Sequence, residues 1–314
     1  MTAETSVYLG DALAAYAFGN GHPFSSQRYT AFRQAFEATG LAARCRIESP
    51  IRADVAQIES FHTPDYVRRV QAQSKLGQGY LDYGDTPAFR GVFEAAATVV
   101  GTTLDATRRI MEGQCRRAFV PIAGLHHAAR DMAAGFCVFN DCGVAIEHLR
   151  HDYGLRKVSY VDIDAHHGDG VFYAFEGDPG VIIADIHQDG RTLYPGTGHV
   201  GETGTGEAVG TKLNIPMPPR ADDNLFMSAW DRVEQFLNEQ RPEFILLQCG
   251  ADSIAGDPIT AMAYSAASYS HAAKRLRAFA DQHCEGRLLA MGGGGYNLDN
   301  IASGWTAVVA ALAK

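Results

Sequence analysis

Short apolar runs, each giving way to Gly, Asp or His, recur along this chain. They are Ala118–Ala123, Val158–Ile163, Val181–Ile186, Phe244–Gln248 and Arg287–Met291. Each has the length of a strand and is rich in branched residues. None alternates strictly between apolar and polar positions, which suits strands buried on both faces of a parallel sheet. Ser6–Leu9 reads as a weaker first strand. Between the runs, Gln27–Thr39, Phe89–Met111, Asp222–Gln240 and Ala266–Gln282 carry apolar residues at helical spacing opposite polar faces. This alternation predicts an α/β fold with helices on both sides of the sheet.

The chain's 314 residues and 46% hydrophobic content suffice for one large core. No Pro/Ser-rich linker, repeat or long charge run divides it, so residues 1–314 are expected to form a single domain. The net charge of −9 repels phosphates, so no nucleic acid partner is expected. The six cysteines include no CxxC pair and lie mostly in apolar runs, as free thiols do in a reducing compartment. No basic-then-apolar leader is seen, and no apolar stretch reaches the ~18 residues of a membrane span. A cytoplasmic protein without membrane contact is the expectation.

The chemically able residues gather in four segments that follow strands. These are Gly124-Leu125-His126-His127, Asp162–Gly170, Gly250–Pro258 and Gly292–Asn297. Ligands bind at this end of the strands in open α/β sheets. Asp164 and His166 are two apart, so in extended backbone their side chains point the same way and can approach one ion. A third anionic ligand from another strand end would leave an open position, as in catalytic zinc. Asp257 is the expected third ligand, because Pro258 restricts the backbone after it. Taken singly, a His-His pair can be a loop feature, Asp169-Gly170 a helix cap and the four glycines a turn. All four segments together, each at the end of an apolar run, point to a site.

The sequences GLHHAARDMAAGFCVFND (124–141), VDIDAHHGDG (161–170), YPGTG (194–198), GADSIAGDP (250–258) and GGGGYN (292–297) together resemble the zinc-dependent histone deacetylase superfamily. With His22-Pro23-Phe24 and Arg28, the resemblance is nearest to the bacterial acetoin-utilisation branch and the class I enzymes. It implies the arginase/deacetylase fold, a three-layer arrangement around an eight-stranded parallel sheet. It further implies zinc on Asp164, His166 and Asp257, with ferrous iron as the alternative ion. His127 would be general base and then acid, and His126 its electrostatic neighbour. Asp162 and Asp169 would orient those rings, and Tyr296 would donate to the substrate carbonyl. Arg28 would line a channel for acetate release. Phe136 and Tyr194 would wall an acyl-lysine tunnel, the Gly135 carbonyl would accept from the scissile amide, and Asp85 would hold the substrate backbone at the rim.

Three positions depart from the family pattern. Tyr194 stands where Phe is usual, and Tyr264 is expected at the tunnel mouth where polyamine deacetylases carry Glu. Asp185 replaces a usual Ser in a potassium site that would comprise Asp162, Asp164, His166, Asp185 and Ile186. The expected activity is removal of acetyl or related acyl groups from protein lysine or a similar small amine. Acetylpolyamine hydrolysis is the alternative; an arginase-like ureohydrolase would need a second metal set in a DxDxxDP-type segment, where this chain has Ala251-Asp252-Ser253-Ile254-Ala255-Gly256-Asp257. A catalytically silent acyl-lysine-binding module is the reading from another class, and the presence of Tyr296 and both histidines speaks against it.

Overall fold

Every apolar run is a strand in the computed structural model, which describes residues 4–19 and 21–313. The strands are β1 (Thr5–Tyr8), β2 (Arg46–Glu48), β3 (Arg117–Val120), β4 (Val158–Asp162), β5 (Val181–Gln188), β6 (Lys212–Met217), β7 (Phe244–Gln248) and β8 (Leu288–Met291). They form one sheet in the order β2-β1-β3-β8-β7-β4-β5-β6, with every pairing parallel. Every residue of β3, β4, β5, β7 and β8 is buried, as expected of strands covered by helices on both faces.

This order explains why the chemistry converges. After β3 the chain crosses over to β4 and runs outward to the β6 edge, then returns to fill the middle with β7 and β8. The four strands preceding the chemistry-bearing segments therefore lie side by side, β3-β8-β7-β4. Their carboxyl ends open onto one place, where the strand order reverses.

The expected helices are present at Gln27–Ala38, Val92–Met111, Asp223–Gln240 and Ala266–His283. Asp222 is the cap of its helix and not its first turn, since its side chain accepts from the Leu225 amide at 3.1 Å. Pro64–Leu76, Asp141–His151 and Leu298–Leu312 are also helical. The last two start from Asn140 and Asn297, each accepting backbone N–H bonds. Asn297 directly follows Tyr296, so the cap of the final helix also anchors that tyrosine's backbone. All six cysteines are buried free thiols. Among the described residues, no helix is long and apolar enough to cross a membrane.

One buried charge holds the β5–β6 edge. The Lys212 side chain is 2% exposed, and its Nζ donates to the carbonyls of Asp178 (3.0 Å) and Val181 (2.6 Å) and to Thr211 Oγ1 (2.9 Å). Burial pushes the ammonium down to about 8, so it is still charged at neutral pH, with all three donors used. Lys212→Met keeps the apolar stem but strands two carbonyls. It should lower stability by about 2 kcal/mol, read as a lower urea midpoint at unchanged slope. A midpoint equal to that of the parent would show that the ammonium carries none of the fold's stability.

Candidate active site

The segment after β3 places His126 and His127 side by side, with Nε2 atoms 3.1 Å apart. Each ring is backed by a carboxylate: His126 Nδ1 lies 2.7 Å from Asp162 Oδ2, and His127 Nδ1 lies 2.6 Å from Asp169 Oδ1. Such a carboxylate fixes the tautomer with hydrogen on Nδ1 and leaves Nε2 facing the site. Burial, reinforced by the neighbouring His126, lowers the His127 pKa, so its Nε2 is a free lone pair at neutral pH. The loop itself is held by Asp141, fully buried, whose oxygens accept from the amides of Gly124 and Leu125 and from Thr103 Oγ1.

Beside the two histidines, Asp164, His166 and Asp252 bring one ligand atom each within 4.8 Å of one another. His166 Nδ1 is 3.0 Å from Asp164 Oδ1 and 3.3 Å from Asp252 Oδ2. Asp164 is further set by Gln248 Nε2 (2.8 Å) and the Gly294 amide (2.9 Å), and Asp252 Oδ1 by the Ala165 amide (3.0 Å). Asp252 Oδ2 is buried without a hydrogen-bond donor. Burial works against a charged His166, yet Asp164 and Asp252 outweigh it and push the imidazole up to about 10. An orphan carboxylate oxygen and a strongly anionic field fit a divalent cation.

This cluster includes Asp252, while Asp257, the expected third ligand, stands five residues further along the same segment and also feels the charge of His166. Asp257 lies beyond the turn and serves backbone amides: its Oδ1 accepts from Ile259 (3.0 Å) and its Oδ2 from Tyr296 (2.8 Å). Asp252 stands closer to the end of β7. Tyr264, expected at the tunnel mouth, is deeply buried. It is 1% exposed, its backbone bridges Ile254, and its ring packs edge-on to Phe226 at 5.0 Å. It belongs to the core and not to a tunnel mouth. The carboxylates of the expected potassium site are occupied from within the chain. Asp185 Oδ1 meets His187 Nδ1 at 2.6 Å and its Oδ2 accepts from the Gly168 amide. Asp162 Oδ1 accepts from the Asp164 amide, and its Oδ2 from Tyr160 and His126. These bonds still leave lone pairs on the carboxylate oxygens.

The remaining expected residues do assemble here. His126, His127, Gly135, Asp164, His166 and Tyr296 line one cavity of about 20 Å³, together with Phe24 and Cys137, which is room for about one water. Burial pushes the Tyr296 phenol well above its ordinary value, so it stays an O–H donor. The Tyr194 ring stands edge-on to His127 at 5.2 Å, and the Phe136 ring edge-on to Tyr296 at 5.8 Å. Arg28 is fully buried and is no surface ion pair. Its Nε and Nη2 donate to the carbonyls of Gly295 (2.7 Å) and Gly293 (2.5 Å), its guanidinium lies 3.8 Å over the Phe24 ring, and Nη1 has no partner. The glycine run packs tightly: a Cβ on Gly294 would collide with the carboxylates of Asp252 and Asp164.

Outside the cavity, Asp82, Asp85, Asp169 and Tyr194 line an open recess of about 560 Å³. Asp82 Oδ1 accepts the amides of Gly84, Asp85 and Thr86. Those bonds hold Asp82 low despite its burial, while burial and the Asp82 charge raise Asp85 to about 6. Gly135 and Phe136 both have positive φ (52° and 67°), and the bridge between Ala134 and Cys137 closes a two-residue turn around them. A side chain on Gly135 would come within 2.5 Å of the His127 ring. Phe136 is the strained member, at a cost of order 1–3 kcal/mol.

The family model for the histone deacetylase domain matches residues 22–312. An acetoin utilization protein AcuC from Bacillus subtilis is 36% identical over 291 residues, 90% of this chain and 75% of the relative. A probable deacetylase from Archaeoglobus fulgidus is 36% identical over 282 residues (88% and 77%). Histone deacetylase 8 of Xenopus tropicalis is 33% identical over 294 residues (91% and 78%). Among solved structures, the HDA15 HD domain superposes with a TM-score of 0.91 at 27% identity, over 99% of this chain and 90% of that one. With a domain match over nearly its whole length and relatives of this kind on both sides, the chain belongs to the histone deacetylase family and is a deacetylase.

Proposed function

We propose that this deacetylase hydrolyses the amide of an N-acetyl-lysine side chain or a similar acylated amine, with Asp164, His166 and Asp257 holding a divalent ion and Asp252 as the rival third carboxylate. One observation carries the reading: two carboxylate-backed imidazoles stand beside a cluster with an unsatisfied carboxylate oxygen. Zinc suits one imidazole and two carboxylates, and ferrous iron is the other ion for this donor set. When bound, such an ion polarises an acyl carbonyl and eases the ionisation of water.

The chain's own groups then have definite tasks. His127 Nε2, unprotonated because of its burial, takes the proton of the attacking water while Asp169 steadies the cation that forms. His126 Nε2, 3.1 Å away, accepts a hydrogen bond from the protonated ring and keeps it aimed. The Tyr296 O–H donates to the oxygen that gains charge as the carbonyl carbon becomes tetrahedral. His127 next returns its proton to the leaving amine. Phe136 and Tyr194 flank the alkyl chain and exclude water, and the Gly135 carbonyl accepts from the scissile N–H. Arg28, with Nη1 unpartnered, offers a cationic path for the acetate product. Asp85 at the rim accepts from the substrate backbone. The anionic pair Asp82 and Asp85 equally suits an acetylated polyamine, which makes that the second reading.

Turnover of acetyl-lysine peptides, acetylpolyamines and longer acyl-lysines, with and without chelator, tests the proposal. Peptide turnover that chelation abolishes is expected; activity surviving complete metal removal would sink it, and faster acetylpolyamine turnover would favour the second reading.

Elemental analysis of two purified variants separates the rival carboxylates. Asp257→Asn should lose bound metal and turnover, whereas Asp252→Asn should retain most of the metal. Metal retained by the first or lost only by the second would reverse the assignment.

The rim has its own signature in pH. Asp85, at about 6, is an anion at pH 7.5 and gains a proton as the pH falls through 6. The KM for an acetyl-lysine peptide should therefore rise several-fold, on the order of tenfold at most, between pH 7.5 and 5. In Asp85→Asn it should be high and flat across that range; an identical profile in both proteins would remove Asp85 from binding.

A further inference from the structure

The turn that forms one wall of the site is built against its own sequence preference. Two-residue turns with positive φ at both central positions favour Gly or Asn, above all at the second. Here Gly135 occupies the first position, but the second is Phe136, an aromatic residue at φ 67°. Something outside the turn must hold it.

Two hydroxyls from distant parts of the chain meet the Phe136 backbone. Tyr16 Oη donates to the Phe136 carbonyl at 2.7 Å and accepts from the Val138 amide at 2.9 Å, bridging the far side of the turn. Thr86 Oγ1 accepts from the Phe136 amide at 3.1 Å. Tyr16 is 1% exposed and is wedged edge-on against Phe18 (5.8 Å) and Phe24 (5.4 Å), so its hydroxyl has little freedom to leave. The Phe136 side chain is gripped in the same way, edge-on to His22 at 4.5 Å and to Tyr296 at 5.8 Å.

We propose that Tyr16 is a positioning residue of the deacetylase. Its hydroxyl locks Phe136 in the left-handed conformation and so sets both the Gly135 carbonyl and the Phe136 ring for the substrate. Thr86 secures the same residue from the other side. Because Thr86 follows Asp85 and its hydroxyl also lies 3.3 Å from Asp85 Oδ1, the clamp ties the rim to the wall. Tyr16 touches no reacting atom; it acts through the backbone of residues 135–138. The part of this inference that concerns turnover rests on the proposed roles of Gly135 and Phe136. The part that concerns the turn does not.

The test is a cycle of Tyr16→Phe, Phe136→Gly and the double variant, each made as the full chain. Tyr16→Phe keeps the ring and removes only the hydroxyl. It should lower kcat by about tenfold with a smaller change in KM. Glycine needs no clamp at φ 67°, so adding Tyr16→Phe to Phe136→Gly should lower kcat by less than twofold more. Thr86→Val should resemble Tyr16→Phe, with Thr86→Ser restoring the rate. Amide hydrogen exchange of residues 134–138 should quicken in Tyr16→Phe and in Thr86→Val without a matching rise in the buried strands. Equal losses in both backgrounds, or unchanged exchange at 134–138, would overturn the proposal. Should the parent turn over no acylated amine, the proposed substrate class fails, while the exchange measurement still decides the clamp.

Discussion

Negative charge buried at the carboxyl ends of the central strands is the constraint on which the rest of this structure depends. An ionised carboxylate taken out of water must find donors or an opposite charge. Imidazoles answer most of the demand: Asp162 meets His126, Asp169 meets His127, Asp164 meets His166 and Asp185 meets His187, all within 3.0 Å. Asp141 instead collects backbone amides and a threonine hydroxyl. Among the described residues, Asp252 Oδ2 is the one buried carboxylate oxygen left without a donor. The histidines that balance charge are thereby fixed in tautomer and direction, and the one deficit lies beside Asp164 and His166. In the proposed function, proton transfer and metal binding are two outcomes of a single charge balance.

The fold was legible because its strands are buried on both faces, and burial of that kind writes continuous apolar runs such as Phe244–Gln248. The edges were not. β2 has three residues, and β6 contains Lys212, Asn214 and Pro216, a composition that argues against a strand unless one side is free of pairing. The buried partners of the Lys212 ammonium lie in other segments, so no local pattern announces them. The helix Asp141–His151 was hidden similarly, since its first turn doubles as support for the histidine loop.

At the site, residue types and their order were readable, but distance from a strand end was not. Asp252 and Asp257 share one short segment, and sequence spacing alone did not show that both approach His166. Tyr264 was placed at the mouth because nothing local announces its burial against Phe226. Gln248, Tyr160 and Tyr16 carry no motif; their parts depend on long-range approach, as the separation of Tyr16 from Phe136 illustrates.

The two loops that face the histidines show how local preference yields to the site. The glycine run obeys its local rule, because a Cβ at Gly294 would strike the carboxylates of Asp252 and Asp164, and there a glycine suffices. The turn at residues 134–137 cannot be relaxed in the same way. Its second position needs an apolar ring to lie against Tyr296 and His22, and glycine would supply the backbone angle while losing that ring. Strain at Phe136 is therefore the cost of having both. The N-terminal segment offsets it with a hydroxyl held rigid by packed aromatic rings, apolar packing thus setting a polar group where the chemistry requires one.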